Sequence, residues 1–278
     1  MKVQGYLPAL AIFTIISLVV GTASTSFLNI WASIELLLYI WLFSAGLSSS
    51  NQQGYDSLAQ IFCYKTIGGL LILIGLIGLP CLRLGLIIRL AIFPFHFWYI
   101  QAFPSLNLFL ILSGGLILKI FPLVLWDRGF SADFIASLTS IVGRLAILSS
   151  FRFPSLLVSS RISQAGFLVL SLGVFPVLIY LISYYIAATL SSTKNPYAIW
   201  NLASLPPIPL FFLKVWILIN LPIVFILILL VRVALSFYPY LKFTLANLMY
   251  LVRLIKPLDF HSRNGFATKL LVDFFCPV

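Results

Sequence analysis

Four ionisable residues stand inside long apolar runs, where a charged side chain would lie far from water. Glu35, the only glutamate in the chain, lies in the run WASIELLL, and three cations occupy comparable positions later in the sequence: Arg89, Lys119 and Lys214. An ionisable group at the centre of a bilayer costs at least about 2.5–3.5 kcal/mol on insertion scales, so its presence points to function. The pattern predicts an electrostatic row at mid-membrane depth, joined by water.

These residue types are suited to moving protons. Burial disfavours the charged form of a lysine and of a glutamate, which makes both usable in proton transfer. Arginine stays charged at essentially any physiological pH, so Arg89 can bias its neighbours but carries protons poorly. One buried ion pair could equally serve only to fix helix packing. One carboxylate cannot neutralise three cations on three other spans, however, and this imbalance favours proton transfer.

Other chemistry-bearing residues give weaker signals. His96, in PFHFW, is a possible relay group because an imidazole titrates near neutrality, and it could equally be a hydrogen-bonding core residue beside a helix break. Neither histidine has a second ligand at metal spacing, and the three cysteines indicate neither a metal site nor a disulfide framework. The pairs Gly68-Gly69 and Gly114-Gly115 favour close helix contacts rather than a phosphate loop.

The elements that must position these residues are transmembrane helices. Of 278 residues, 62% are hydrophobic and 8% charged, whereas a soluble domain carries about 25% charged residues. Because a helix needs about 20 apolar residues to cross the hydrocarbon core, the sequence predicts an all-α polytopic transmembrane helix bundle of ten or eleven spans. The predicted spans are 5–22, 27–47, 58–79, 84–101, 105–126, 134–151, 156–172, 174–190, 198–220 and 222–241, with a weaker one at 244–257. Residues 1–258 are predicted to form a single transmembrane domain, and 259–278 a tail on the membrane surface or against a partner.

Two of these spans are predicted to be broken. Pro94 interrupts the run Phe93-Pro94-Phe95 in mid-span, and three prolines fall within Leu205–Pro209. Proline removes a backbone donor, and interrupted helices at membrane depth occur only where protein buries them or where they line a wet cavity. A simple kink, or a loop between two short helices, is the alternative.

The basic residues bear on orientation. A net charge of +11 is spread singly along the chain without a basic patch, which argues against nucleic-acid binding. If the spans alternate, the positive-inside rule puts the N-terminus on the cytoplasmic or matrix side. One side collects Lys2, Lys65, Arg152, Lys194 and Lys242, and the other mainly Arg83 and Arg128, beside Asp127 and Asp133. Arg144 and Arg161 are interpreted as snorkelling anchors near span ends, and Arg232 is deeper, with no assigned role.

Several motifs, in order, resemble those of the NADH dehydrogenase subunit 2 family, the antiporter-like proton-pumping subunits of respiratory complex I. RLAIFPFHFW (89–98) is similar to the family's K-x-G-x-A-P-F-H-F-W, and LKIFP (118–122) to Q-K-x-x-P. SRISQAGF (160–167) is similar to S-S-I-x-H-x-G-W, and LPPIPLFFLK (205–214) to L-P-P-x-x-G-F-x-x-K. Trp31 with Glu35 resembles the family's W-x-x-x-E. The motifs cover roughly residues 27–220.

The resemblance implies an antiporter-like fold and a role for each charge. Glu35 would pair with the cation on the first broken helix, Arg89; Lys119 would be the central relay, and Lys214 would stand near the exit path. Quinone reduction would take place elsewhere in the complex, so this chain would hold no cofactor, while flavin, iron–sulfur clusters and quinone would belong to other subunits. Its partners would be lipids and the other membrane-arm subunits of a hetero-oligomer in the mitochondrial inner membrane. The N-terminus would face the matrix. The chain lacks about three leading spans of bacterial members, which favours the mitochondrial version.

Three positions depart from the family pattern. Arg89 replaces the usual lysine, Gln164 stands where many members have a relay histidine, and Phe212 lies among large residues that replace a glycine. These departures leave open a structural subunit whose pumping residues have decayed. A membrane subunit of a multisubunit cation/proton antiporter, which shares the fold, is the close alternative. A membrane-embedded transferase would have only His96 as a candidate catalytic group.

Overall fold

The described part of the protein is built of α-helices, three of which are long and apolar enough to cross a membrane. The computed structural model describes residues 7–49, 51–126, 130–150, 152–172, 177–191, 201–202, 209–219, 235, 238–242 and 244–246. The helices are α1 (Leu7–Ala23), α2 (Phe27–Ser48), α3 (Gln52–Ile74), α4 (Leu79–Leu90), α5 (Phe97–Ala102), α6 (Leu108–Val124), α7 (Phe130–Leu148), α8 (Phe153–Leu170), α9 (Val177–Ser191) and α10 (Pro209–Ile219). Within these ranges there is no strand, and α2, α3 and α8 have the length and hydropathy of full membrane spans. The predicted all-α transmembrane bundle is confirmed.

Most helix bounds follow the apolar pattern. The predicted spans 5–22, 27–47, 105–126, 134–151, 156–172 and 174–190 correspond to α1, α2, α6, α7, α8 and α9, with ends that differ by at most four residues. Of the predicted span 198–220, the structure describes 201–202 and α10. Most of 222–241 and 244–257, the tail 259–278 and Arg232 lie outside the described residues, so the division at residue 258 stays a prediction.

Helix α3 begins earlier in the chain than the predicted span 58–79, which followed from hydropathy. The polar stretch around residues 48–57, interpreted as a loop, contributes its second half to α3, which begins at Gln52. Hydrophobicity marks where lipid begins, whereas polar residues outside the lipid can continue the same helix. As a result Lys65, which had been counted with the loop charges on one side of the membrane, lies near the middle of α3. Lys65 therefore no longer counts among the residues that indicate orientation by the positive-inside rule.

The span predicted at 84–101 is broken, as Pro94 indicated. Helix α4 ends at Leu90, α5 begins at Phe97, and Ala91 between them adopts a left-handed conformation, with φ 56°. A left-handed residue commonly ends a helix, and the family motif quoted above has glycine at this position. The break is held by a tertiary contact, since the Phe93 amide donates to Thr139 Oγ1 on α7 at 3.0 Å.

Helix α8 lies at the centre of the described bundle, where it is buried continuously from Leu156 to Leu170. It packs against α7 at backbone contact distance. A Cβ added at Gly143 would lie 2.8 Å from the Cα of Ser163, and one added at Gly166 would lie 2.8 Å from the amide of Ser140. Small residues of this kind let membrane helices approach closely. The outer faces of α1, α2 and α3 carry large exposed apolar side chains such as Ile15, as a lipid-facing surface requires.

Candidate functional site

Helices α2 and α4 bring the lone glutamate to the arginine of the broken helix. The Glu35 carboxylate and the Arg89 guanidinium form an ion pair through Oε1 and Nη2. Arg89 is 2% exposed and Glu35 12% exposed, so both charges are largely withdrawn from solvent. A buried pair of this kind tolerates the loss of either partner poorly, because the remaining charge has no counter-ion.

Glycines on α3 make the room that this pair occupies. A Cβ at Gly69 would overlap both the Glu35 carboxylate and the Arg89 guanidinium, and one at Gly68 would lie 2.8 Å from Arg89 Cγ. The Trp31 indole donates to the Gly69 carbonyl at 2.9 Å, which ties α2 to α3 one turn before Glu35. The Gly68-Gly69 pair therefore makes a close helix contact, and it also accommodates charged side chains.

The helix break supplies the next contact of the site. In an unbroken helix the Phe93 amide would donate to the Arg89 carbonyl, but it donates to Thr139 instead. The Arg89 carbonyl accepts a hydrogen bond from the Lys65 ammonium. Lys65 is 2% exposed and its Nζ lies 5.5 Å from the ring centroid of Trp98 on α5. We call Glu35, Arg89 and Lys65 the paired end of the site.

A second group of charges lies on α6 and α8. Lys119 is 3% exposed, its Nζ donates to the Arg161 carbonyl at 3.3 Å, and it lies 4.8 Å from the ring centroid of Tyr99. The Arg161 guanidinium donates to the Leu112 carbonyl at 2.9 Å, and a Cβ at Gly115 would overlap it. We call Lys119 and Arg161 the cationic end.

The interpretation of Arg144 and Arg161 as snorkelling anchors is wrong. They are 1% and 4% exposed, inside the protein. Arg144 lies against the Tyr240 ring at 5.8 Å, and Arg161 holds the carbonyl described above. Distance from a span end limits how far a side chain can reach, but it does not say whether the helix face turns towards lipid or towards a neighbouring helix.

Two small cavities accompany the two ends. One of about 10 Å³ lies between Lys65, Arg89 and the α6 residues Ile117 and Leu118. The other, of about 20 Å³, is lined by Lys119, Arg161, Gln164 and three tyrosines of α9. A buried water needs roughly 10–15 Å³ of free volume and several polar partners. The cavity beside Lys65 is therefore at the lower limit for one water, and the cavity beside Lys119 can hold one.

Hydroxyl groups continue the polar surface from the cationic end. On α8, Gln164 accepts a hydrogen bond from the Tyr180 hydroxyl. Ser160 Oγ lies 3.0 Å from the Tyr184 hydroxyl and 2.8 Å from that of Tyr240. Tyr180 and Tyr184 are one turn apart on α9, so both face α8. Gln164, proposed as a relay position, is therefore buried in a hydroxyl-rich environment next to Arg161.

His96 and Lys214 are buried as well. His96, 3% exposed, lies in the helix break between the rings of Phe93 and Phe97, with centroids 5.9 and 4.2 Å away. Lys214, 4% exposed, is on α10, which packs on α9. Within the described ranges no group of three or more His, Cys, Asp or Glu side chains could hold a metal.

Short helix α5 connects the two ends. Its adjacent residues Trp98 and Tyr99 lie against different lysines, Lys65 and Lys119. The rings of two consecutive residues therefore lie between the two lysines. The arrangement can therefore hold a fixed ion pair at one end and exchange protons through amines, hydroxyls and water along the rest.

The sequence pattern missed Lys65, Arg161 and the α9 tyrosines. Lys65 was passed over because the start of α3 was placed too late, and Arg161 because its place in a short predicted span looked terminal. One signal was available for both, since each lies near a glycine pair: Gly68-Gly69 follows Lys65 by one turn on α3, and Gly115 of the pair on α6 makes room for Arg161. Nothing in the sequence distinguished Tyr180 and Tyr184 from lipid-facing tyrosines.

The fold is an antiporter-like bundle of membrane helices. The fold is similar to a chain of respiratory complex I from Thermus thermophilus with bound aureothin (TM-score 0.76, 20% identity, 85% of this chain and 69% of that one). It is also similar to a chain of the Mrp complex from Dietzia sp. DQ12-45-1b (TM-score 0.71, 15% identity, 84% and 59%). A third similar chain belongs to the membrane-bound sulfane sulfur reductase, an archaeal respiratory membrane complex (TM-score 0.68, 14% identity, 95% and 70%).

These likenesses concern the fold. The chain spans between 59% and 70% of the length of the three chains. No family model and no curated protein matches the sequence.

Proposed function

We propose that this chain is a proton-translocating membrane-arm subunit of respiratory complex I. In this role it moves protons through the buried charges and the water between them, while NADH oxidation and ubiquinone reduction take place in other subunits that hold the flavin and iron–sulfur clusters. The observation that carries the proposal is the run of charges withdrawn from solvent across five helices: Glu35, Arg89 and Lys65 at one end, Lys119 and Arg161 at the other. Lys214 on α10, a further buried cation, is proposed to stand near the exit path.

Burying cations inside a membrane is costly. Each of the cations in the site is at most 4% exposed. An ionisable residue inside a bilayer is by default a candidate for function. Glu35 neutralises one of them. The others interact with carbonyl oxygens and aromatic rings, which stabilise a cation less than a carboxylate does. The stability of their charged forms therefore changes when a neighbouring group gains a proton or when a charge changes in a partner subunit.

The location follows from the motif resemblance. A mitochondrial inner-membrane subunit with its N-terminus in the matrix fits the family pattern, and the remaining partners would be other membrane-arm subunits in a hetero-oligomer. Copurification tests this directly. We expect a roughly megadalton respiratory assembly that contains flavin and iron–sulfur proteins.

A cation/proton antiporter subunit is the second candidate. Its support is the similarity of the fold to a chain of the Mrp complex from Dietzia. Recovery of this chain in a small complex without flavin or iron–sulfur proteins, together with sodium-dependent proton exchange in vesicles, would favour this function and contradict the first.

The pumping role is tested with Lys119→Ala and Lys214→Ala in the assembled complex. We expect each to lower NADH-driven proton uptake by vesicles by roughly tenfold or more, the usual scale for removing a proton-transfer group. Arg83→Ala is the matched control, because Arg83 is an exposed cation on α4, and it should leave uptake unchanged. An unchanged proton-to-electron ratio in both lysine variants would mean that the chain is a structural subunit whose pumping residues have decayed.

A further inference from the structure

We propose that Lys65 is the group at the paired end that gains and loses a proton, while Arg89 and Glu35 stay charged around it. This inference rests on the proposed function and deepens it. It assigns the proton-carrying role to α3, a helix from which no residue was predicted to take part.

The ion pair itself is poorly suited to titrate. An arginine keeps its proton at any physiological pH, and the Glu35 carboxylate is held on the guanidinium in a space that Gly69 leaves open. Protonation of Glu35 would leave the Arg89 charge buried without a counter-ion, which costs several kcal/mol. The pair therefore forms a constant electrostatic background.

Lys65 differs from both members of the pair. Its ammonium donates to the Arg89 carbonyl and lies over Trp98, and among the described contacts it has no carboxylate of its own. The charges that face it are Glu35 on α2, Arg89 on α4 and Lys119 on α6. Two of these three are cations, so its charged form is repelled by more charges than attract it. A buried lysine changes protonation readily in such surroundings.

The hydrogen bond to Arg89 allows the change without rearrangement. The –NH₃⁺ form of Lys65 has three protons and the –NH₂ form has two, so either form can still donate to the carbonyl that the helix break leaves free. The broken helix therefore keeps its contact in both protonation states. The charge is the part that changes.

A route for the proton adjoins Nζ. The cavity of about 10 Å³ separates Lys65 and Arg89 from α6, the helix that carries Lys119. In the proposed step, Lys65 –NH₃⁺ transfers one proton to a water in this cavity. The N–H bond breaks, its electron pair stays on nitrogen, and the water becomes hydronium. The amine later takes a proton from water to restore –NH₃⁺. Loss of the Lys65 charge also removes repulsion from Lys119, which links the two ends.

The test exchanges a titratable cation for a fixed one. Lys65→Arg keeps a positive charge and an N–H donor but cannot release a proton, so we expect coupled NADH oxidation by the assembled complex to fall roughly tenfold. The double variant Lys65→Arg/Arg89→Lys returns one titratable and one fixed cation to the paired end and should recover most of the rate. Arg83→Lys, at an exposed cation of α4 outside the site, is the control and should leave the rate unchanged.

A merely structural Lys65 gives different results. If it serves only to hold the Arg89 carbonyl, Lys65→Arg pumps normally, and that result overturns the proposal. Loss of activity in Lys65→Arg without recovery in the double variant, at normal assembly, also overturns it. Lys65→His provides a pH readout, because an imidazole loses its proton at lower pH than an amine. The alkaline limb of the rate profile should move to lower pH, and an unmoved limb contradicts the assignment.

Two further variants keep the result interpretable. Should Lys65→Arg fail to assemble, Lys65→Gln keeps a donor for the carbonyl without a charge to exchange, and normal pumping by it would overturn the proposal. Lys119→Ala in the same assay separates this inference from the function on which it rests. If Lys119→Ala and Lys214→Ala are both active, the proposed function fails; if they are inactive and Lys65→Arg is active, only the role of Lys65 fails.

Discussion

The two ends of the charged site are neutralised in different ways. At the paired end, a carboxylate lies directly on a guanidinium, and glycine backbone closes around both. At the cationic end, Lys119 and Arg161 each donate to a main-chain carbonyl, and within the described residues neither contacts a carboxylate. The first end therefore derives its stability from a single charge pair, whereas the second distributes weaker contacts over several neutral groups.

The cavities beside the two ends also differ, both in size and in the polarity of the side chains that line them. The cavity at the paired end is about half the size of that at the cationic end and is lined mostly by apolar side chains, whereas the larger one is lined by Gln164 and three tyrosines. Hydroxyls can donate and accept hydrogen bonds, so they can solvate a lysine side chain in both its charged and its neutral form. A buried group therefore keeps its protonation state where its partner is charged and can change it where its partners are neutral.

Removing the carboxylate should have the largest effect on stability. Glu35→Gln leaves the Arg89 guanidinium buried without a counter-ion, which we expect to lower the free energy of unfolding by about 3–5 kcal/mol. Unfolding of the purified chain in mixed detergent micelles by added SDS measures it. Asp56→Asn is the control, because Asp56 is an exposed carboxylate at the start of α3, and it should change stability by no more than about 0.5 kcal/mol. A loss of similar size in both variants would mean that the pair does not stabilise this end.

Adding a methyl group to the glycines that face the charges should have an intermediate effect. Gly69→Ala pushes Glu35 and Arg89 apart, and Gly115→Ala pushes the Arg161 guanidinium from its carbonyl. We expect each to destabilise by about 1–3 kcal/mol, with Gly69→Ala the larger because an ion pair is lost. The same SDS titration compares them.

Gly46→Ala is the matched control for both glycines. Nothing lies within 4 Å of a Cβ built at Gly46 on α2, so alanine should stabilise the helix there by up to about 1 kcal/mol through its higher helix propensity. A destabilisation by Gly115→Ala that exceeds that by Gly69→Ala would reverse the ranking of the two ends.

Loss of one hydroxyl at the cationic end should have the smallest effect. Tyr184→Phe removes one of two hydroxyl partners of Ser160, and Tyr240 remains. We expect a loss of about 0.5–1.5 kcal/mol, against almost none for Tyr55→Phe, whose side chain is 52% exposed. A loss as large as that of Glu35→Gln would show that the hydroxyl contacts are not interchangeable.

The sequence predicts the helices well because each must be apolar enough for lipid. It also identifies Glu35, Arg89, Lys119 and Lys214 as buried, since a charge in the middle of an apolar run has no easy path to water. The break after Leu90 follows from Pro94, which cannot donate to the preceding turn. These properties depend on local sequence alone.

Tertiary packing determines the remaining features. Apolar residues surround Lys65 and Arg161 as they surround lipid-facing positions, so hydropathy cannot tell which face of a helix turns inward. The bond from Lys65 to the Arg89 carbonyl requires a break in one helix and a lysine on another, 24 residues apart. The contact of Thr139 with the Phe93 amide also joins distant segments, and no periodicity in either segment indicates it.

The space left by Gly69 has an evolutionary consequence. As long as a carboxylate and a guanidinium meet across that backbone, an extra carbon at position 69 lowers stability, and natural selection acts against it. A descendant lineage with alanine or serine there regains the lost stability through a shorter or relocated charged side chain at position 35 or 89. Substitutions at these three positions are therefore expected to arise together during divergence, whereas Gly46, on the open side of α2, is free to vary alone.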